Sequence, residues 1–225
     1  MADTALRLLN EVGLEGLTLR AIAAELNVKA PALYWHFKDK QALLDEMATE
    51  MVRRMRADFS AAPADWREAL TQAMTGLRAH LLRYRDGAKV YSGTRLTDVS
   101  FAEPMEAQLR ALTEQGFTPA AAARAWQTAY SYTIGYVIEE QAMGGLAQDD
   151  LRARAGRLDG YPLAAQAGEV LFDSYDRGFE EGLRAVVAGI GQTLRTGRDA
   201  SRDPDGPDPL SRDPAAGPGP AVPPG

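Results

Sequence analysis

Between Thr18 and Lys40 the chain gathers side chains that can hold and read a nucleic acid. The hydroxyls of Thr18 and Tyr34 can donate to phosphate, and Lys40 can meet a phosphate as a point charge. Arg20 has the fork that reads a base edge bidentately. The small face of Ala30, Pro31 and Ala32 can lie against a thymine methyl. With Lys29 and Lys38 the stretch carries four cations against Glu25 and Asp39, a local charge of +2 in a chain of formal charge −6. Composition excludes other chemistry. There is no Cys, so there is no disulfide framework, thiolate metal site or Cys nucleophile. His36 and His80 are the only histidines, too few for a histidine metal cage. His36, beside two aromatics, reads as a packing, capping or phosphate-contact residue, and His80 as part of a solvated helix face. Glu139 and Glu140 are adjacent. Consecutive helical residues point about 100° apart, so the two cannot act on one substrate as acid and base. No nucleophile–base pair and no Gly-rich phosphate loop is present.

The elements that must position these residues are helices. Asp3 to Val12 has an amphipathic pattern through Leu6, Leu9 and Val12, ended by Gly13. Thr18 then caps a helix from Leu19 to Leu26, with Ile22, Ala23 and Leu26 inward. Asn27 suits a left-handed turn, and Val28 is expected to return the chain to the core. A third helix, Lys29 to Phe37, has Pro31 in its first turn and buries Leu33 and Phe37. Helix, tight turn, helix is the geometry of a helix-turn-helix, with the third helix as the reader.

Beyond it the helical period continues. Trp66 to Tyr84 repeats through Leu70, Met74, Leu77, Leu81 and Leu82. Pro104 opens a helix through Leu109 and Leu112 that stops at Gly116. Thr118-Pro119 is a cap and first turn for a helix carrying Trp126, Tyr130, Ile134, Val137 and Ile138 to Gly144-Gly145. Asp173 to Leu194 repeats through Phe179, Leu183, Val186, Val187 and Ile190. No convincing alternating strand appears, so the fold class is all-α. Gly135 and Gly182 allow close helix approach, within one chain or between two. Residues 197–225 hold 8 of the 13 prolines and, as large apolar side chains, only Leu210 and Val222. That segment is expected to be a disordered tail. No apolar run is long enough to span a membrane, and the start lacks the pattern of a signal peptide, so a cytoplasmic protein is expected. The acidic balance alone argues against binding DNA.

Thr18 to Leu26, read with the block Ala30-Pro-Ala-Leu-Tyr-Trp-His-Phe-Lys-Asp-Lys40, resembles the DNA-binding domain of the tetracycline-repressor (TetR) family. The stretches Arg85 to Arg95, Gln108-Leu109, Gln115 to Phe117 and Thr133 to Gln141 resemble the regulatory domain of the family's tetracycline-repressor branch. The resemblance covers about residues 1–195. It implies a helix-turn-helix domain over 1–45 and a helical ligand-binding and dimerisation domain over 46–196. Thr18, Arg20, Ala30, Pro31, Ala32, Tyr34, Trp35, His36 and Lys40 then fall at DNA-facing positions, with Lys29 in the same basic stretch. Ala30 stands where the branch has a base-reading Gln, so a different operator is expected. The first helix is short and lacks a basic arm, so either the arm is absent or the start lies upstream.

The resemblance further implies a homodimer on a palindromic operator, joined by the Pro119–Met143 and Asp173–Leu194 helices. A small-molecule inducer would release it, with 39–59 acting as the lever. In the tetracycline-repressor branch a magnesium–drug chelate is held by two His and one Glu. The matching positions here are Tyr91, Ser131 and Glu139. A single carboxylate rarely retains a divalent ion, so no metal or cofactor is expected. Gln72, Gly76, Thr94, Arg95 and Gln108 match further ligand positions, and Trp126, Tyr130, Tyr132 and Tyr136 add aromatic surface. The implied inducer is apolar or aromatic. Two other readings are a ligand-binding module without DNA recognition and an enzyme working in the helical pocket.

Overall fold

The computed structural model describes residues 1–57, 64–144, 153, 156–158 and 160–194. Phe59, Gly145 and the expected tail lie outside them. Among the described residues there are ten helices and no strand. The first four are α1 (Ala2–Gly16), α2 (Leu19–Glu25), α3 (Ala30–Tyr34) and α4 (Lys40–Ala57). The larger part contains α5 (Trp66–Leu81), α6 (Gly87–Tyr91), α7 (Ala102–Glu114), α8 (Pro119–Met143), α9 (Pro162–Asp173) and α10 (Tyr175–Thr193).

The N-terminal helices form where the side chains dictate. The Thr18 hydroxyl accepts the Ala21 N–H at 3.1 Å and so starts α2. Asn27 takes the left-handed turn at φ 53°. Leu6, Leu9, Ile22, Ala23, Leu33 and Phe37 close the small core. Helix α1 breaks at Gly13, whose φ is 70°. A Cβ there would meet Arg85 Nε at 3.0 Å and Asp86 Oδ2 at 3.2 Å, so both backbone and space select glycine. Two of the expected inward residues face solvent instead. Val12 and Val28 are both exposed. The backbone does fold back at Val28, whose N–H reaches Ala23 O at 2.9 Å, but the side chain turns outward.

Asn10 and Asp86 fasten this domain to the rest. Asn10 donates to Arg83 O at 3.2 Å and accepts the Arg85 N–H at 2.7 Å. Asp86 accepts the Leu14 N–H at 3.0 Å. Helix α4 runs unbroken from beside the reader into the larger part, so the expected division at 45/46 falls within one helix.

In the larger part α5, α8 and α10 pack around a polar node. Arg78 of α5 donates to both oxygens of Glu140 on α8, at 2.8 and 2.6 Å. It also pairs with Asp176 of α10 at 2.7 Å. Its guanidinium lies 5.0 Å from the centre of the Phe179 ring. The Tyr132 and Tyr136 rings flank Phe179. Their hydroxyls donate to Phe179 O at 3.0 Å and Tyr175 O at 2.9 Å. A Cβ on Gly182 would collide with the Tyr132 hydroxyl, so this glycine serves packing within the chain. Gly135, by contrast, has nothing within 4 Å and lies on the exposed face of α8.

Three details differ from the sequence reading. His80 is buried at 3% exposure, with its ring 5.6 Å from that of Tyr84, and does not face solvent. Asp173 ends α9 rather than opening α10; Ser174 leaves helical geometry and caps α10 through the Arg177 N–H at 3.3 Å. Helix α9 itself carries Leu163, Val170 and Leu171 exposed.

Candidate DNA-reading face and ligand cavity

The reader helix and its surroundings present an unusual surface. Trp35 is 91% exposed and Tyr34 54%. Arg20, Lys29 and Lys38 are exposed and make no ion pair or side-chain hydrogen bond. Many cations elsewhere are paired, though the exposed Arg95 and Arg184 are not. Arg7 pairs with Glu11 and Glu25, Arg53 with Asp98, Arg54 with Asp3 and Glu50, and Arg56 with Glu103. Cations without partners beside bare aromatic rings are what a polyanion can take up without breaking an existing pair. Pro31, Ala32 and His36 are exposed beside them and Ala30 half-buried. Lys40 differs, since its ammonium donates to Leu14 O at 2.8 Å. One proton is held by the end of α1 and two remain for phosphate. Thr18 is likewise engaged as a cap.

The second feature is a cavity of about 290 Å³ enclosed by α4, α5, α7, α8 and the end of α6. Tyr91, Gln108, Trp126 and Tyr130 line it together. The Tyr91 and Tyr130 ring centres are 6.4 Å apart. Burial, with a smaller push from Tyr130, holds the Tyr91 phenol well above its usual range, and burial raises Tyr130 too. Both are neutral at physiological pH. Sequence reasoning missed the apolar remainder: Val52, Met55, Met74, Leu77, Leu96, Phe101, Pro104 and Met105.

Other expected ligand residues lie elsewhere. Gln72 and Gly76 face a separate open groove between α5 and α10, of about 970 Å³. The α5 positions on the cavity are Ala73, Met74 and Leu77, one or two residues later. One residue turns a helix by about 100°, enough to exchange one face for another. The stripe Leu70, Met74, Leu77 and Leu81 already marks the inward face, so this displacement was detectable in the sequence. Thr94 closes the end of α6 by donating to Tyr91 O at 2.9 Å. The Arg95 side chain is exposed. Ser131 and Glu139 lie on the exposed face of α8, and Tyr132 and Tyr136 belong to the Arg78 node.

The cavity and the reader share α4. Three residues spaced four apart on α4 hold segment 95–98. Asp45 accepts the Arg95 N–H at 2.9 Å, Thr49 accepts the Thr97 N–H at 2.8 Å, and Arg53 meets Asp98 at 2.7 Å. Thr49 is fully buried. Leu96, between these ties, lines the cavity, as does Phe101. The segment that walls the cavity is therefore strapped to the helix that begins beside the reader and packs on α1.

A helix-turn-helix with an unpaired cationic face, joined by one helix to a cavity-bearing helical domain, defines a ligand-responsive DNA-binding regulator. Comparison with known proteins agrees. Residues 2–47 match the family model for bacterial regulatory proteins of the tetR family, and residues 59–194 match that for the tetracyclin repressor-like C-terminal domain. The tetracycline repressor protein class A from transposon 1721 of Escherichia coli is 41% identical over 191 residues, 83% of this chain and 86% of that protein. TetR(class A) in complex with 5a,6-anhydrotetracycline and magnesium superposes with a TM-score of 0.62 at 37% identity, over 85% of this chain and 95% of that one. A possible TetR family regulator from Streptomyces coelicolor A3(2) gives 0.74 at 36% identity, over 85% and 97%. The chain belongs to the tetR family of bacterial regulatory proteins.

Proposed function

We propose that this protein is a homodimeric transcriptional repressor that binds a palindromic DNA operator and leaves it when a small molecule fills the α4–α8 cavity. It works in the cytoplasm as a regulator and not as a catalyst; no described helix is long and apolar enough to cross a membrane. The observation that carries the reading is the strap. Asp45, Thr49 and Arg53 couple the cavity wall at Leu96 to the helix that begins beside the reader. A ligand that displaces 95–101 moves α4. Recognition helices shifted from a spacing of roughly 34–36 Å lose simultaneous contact with both half-sites. The exposed faces of α8 and α10, with Ser131, Gly135, Glu139, Arg184 and Ala188, supply the dimer contact.

The regulator is split into a DNA-binding unit over 1–45 and a ligand-binding and dimerisation unit over 46–196, with α4 bridging them. Thr18, Arg20, Lys29, Tyr34, Trp35, His36 and Lys40 face the DNA, and Ala30, Pro31 and Ala32 approach the base edges. A gel shift against the DNA upstream of the chain's own gene tests this. A dimer-sized complex confined to a palindrome supports it, and retention equal to that of scrambled DNA refutes it.

Coupling through the strap is measurable separately. Thr49→Val keeps the shape but removes the acceptor of the Thr97 N–H. Ligand affinity and operator affinity should each change little, while the loss of operator affinity at saturating ligand shrinks by about 1 kcal/mol. Undiminished release in the variant would reduce the strap to a structural contact.

A further inference from the structure

The relative solved with 5a,6-anhydrotetracycline and magnesium shows that this fold can hold a metal-bound drug. The donor set of the present cavity does not fit a magnesium ion. A hard divalent cation needs oxygen ligands with carboxylates among them. Here the polar groups on the wall are two half-buried phenols, two carboxamides, one indole N–H and one guanidinium, with no carboxylate among them. A phenol is neutral at physiological pH, burial moves both further from ionising, and a neutral phenol is a poor ligand for a hard cation. The guanidinium, Arg56, is paired with Glu103, which is not on the cavity wall. Among the described residues no group of three or more His, Asp or Glu is placed to hold a metal. Glu139, the one carboxylate at a matching position, is on the exposed face of α8 and not on this wall.

What the cavity does offer is specific. Its volume, about 290 Å³, lies at the small end for ligand sites. Met55, Met74 and Met105 surround it with thioethers that adapt to, and pack favourably against, aromatic rings. Phe101 and Trp126 add flat walls. Gln108 is 9% exposed, on a helix face otherwise turned to Leu112 and the core. Its amide can give and take one hydrogen bond each way inside an apolar enclosure.

We propose that the occupant of this cavity is a compact, planar, uncharged aromatic molecule, taken up without a divalent metal and anchored by one polar group on Gln108. This rests on the reading of the chain as a ligand-released repressor, and names the class of its ligand. Flavone is a suitable probe: flat, uncharged, unable to chelate a metal, with one carbonyl acceptor. Titration calorimetry of the full chain would compare flavone, and separately anhydrotetracycline, in EDTA and in excess magnesium. Flavone should bind equally in both, and Gln108→Leu should weaken it about tenfold. Anhydrotetracycline should gain less than twofold from magnesium. Three results overturn the proposal: no heat with flavone, flavone affinity unchanged in Gln108→Leu, or anhydrotetracycline strengthened tenfold or more by magnesium. The parent reading fails differently. A chain that takes flavone as described but shifts no operator is a ligand-binding protein of the same specificity and not a repressor.

Discussion

Arg20→Ala should lower operator affinity by about 2–6 kcal/mol while leaving non-specific DNA binding nearly intact. A bidentate guanidinium on a base edge is worth about 1–3 kcal/mol of discrimination, and a dimer makes the contact twice. Arg20 is well disposed for it, since the side chain is exposed on α2 and has no carboxylate to leave. Lys38→Ala provides the contrast. An ammonium on phosphate carries no sequence information, so its loss should weaken all DNA alike and reduce the salt slope by about one per contact. Fluorescence anisotropy at fixed salt, on operator and scrambled duplexes, separates the two. An Arg20→Ala protein with an unchanged specificity ratio would mean that Arg20 touches only the backbone.

Arg78→Ala should be the most damaging single change to stability, about 3–5 kcal/mol. The guanidinium is within 3 Å of both Glu140 oxygens and of Asp176, and Arg78 and Glu140 are both largely buried. The hydrogen bonds with Glu140 are the main reason the Arg78 group is held above its already high proton affinity. Removing it leaves the Glu140 carboxylate buried without a counter-charge and strips a cation from the Phe179 face. Urea unfolding measures the loss. The double variant Arg78→Met, Glu140→Leu should recover most of it, because a well-packed apolar pair avoids burying charge. A single variant as stable as the parent would show that the node is solvated and contributes little.

The sequence reached the fold through its periodicity. Stripes such as Leu70, Met74, Leu77 and Leu81 are buried as read, and caps at Thr18 and Thr118 sit where a hydroxyl must take an N–H. Helix α9 escaped because Leu163, Val170 and Leu171 face solvent, and exposed apolar residues mark no inward face. The site was legible in part. Tyr91, Gln108, Trp126 and Tyr130 converge on one cavity. Gln72 and Gly76 match ligand positions by resemblance alone, and lie on the face of α5 turned away from the cavity. The methionines on the cavity wall carry no signal of their own, because a core methionine and a ligand-facing methionine have the same period. The strap was invisible for another reason. Two of its three ties end on the backbone N–H groups of 95 and 97, which any sequence would supply.

The net charge of −6 is compatible with a DNA-binding protein once its distribution is seen. Acidic residues pair with arginines on α1, on α4 and at the Arg78 node, while the cations of the reader's surroundings stay open. A small open face on an acidic body should bind random DNA weakly and depend on contacts made by both protomers.

Operator release measured in one cuvette tests the central claim most directly. A fluorescent operator duplex saturated with the protein is titrated with flavone, and anisotropy reports how much protein remains bound. The account predicts a fall to the value of free duplex, with a midpoint that tracks flavone occupancy of the cavity and moves about tenfold higher in Gln108→Leu. Anisotropy that stays at the bound value while calorimetry shows the cavity filled would contradict it.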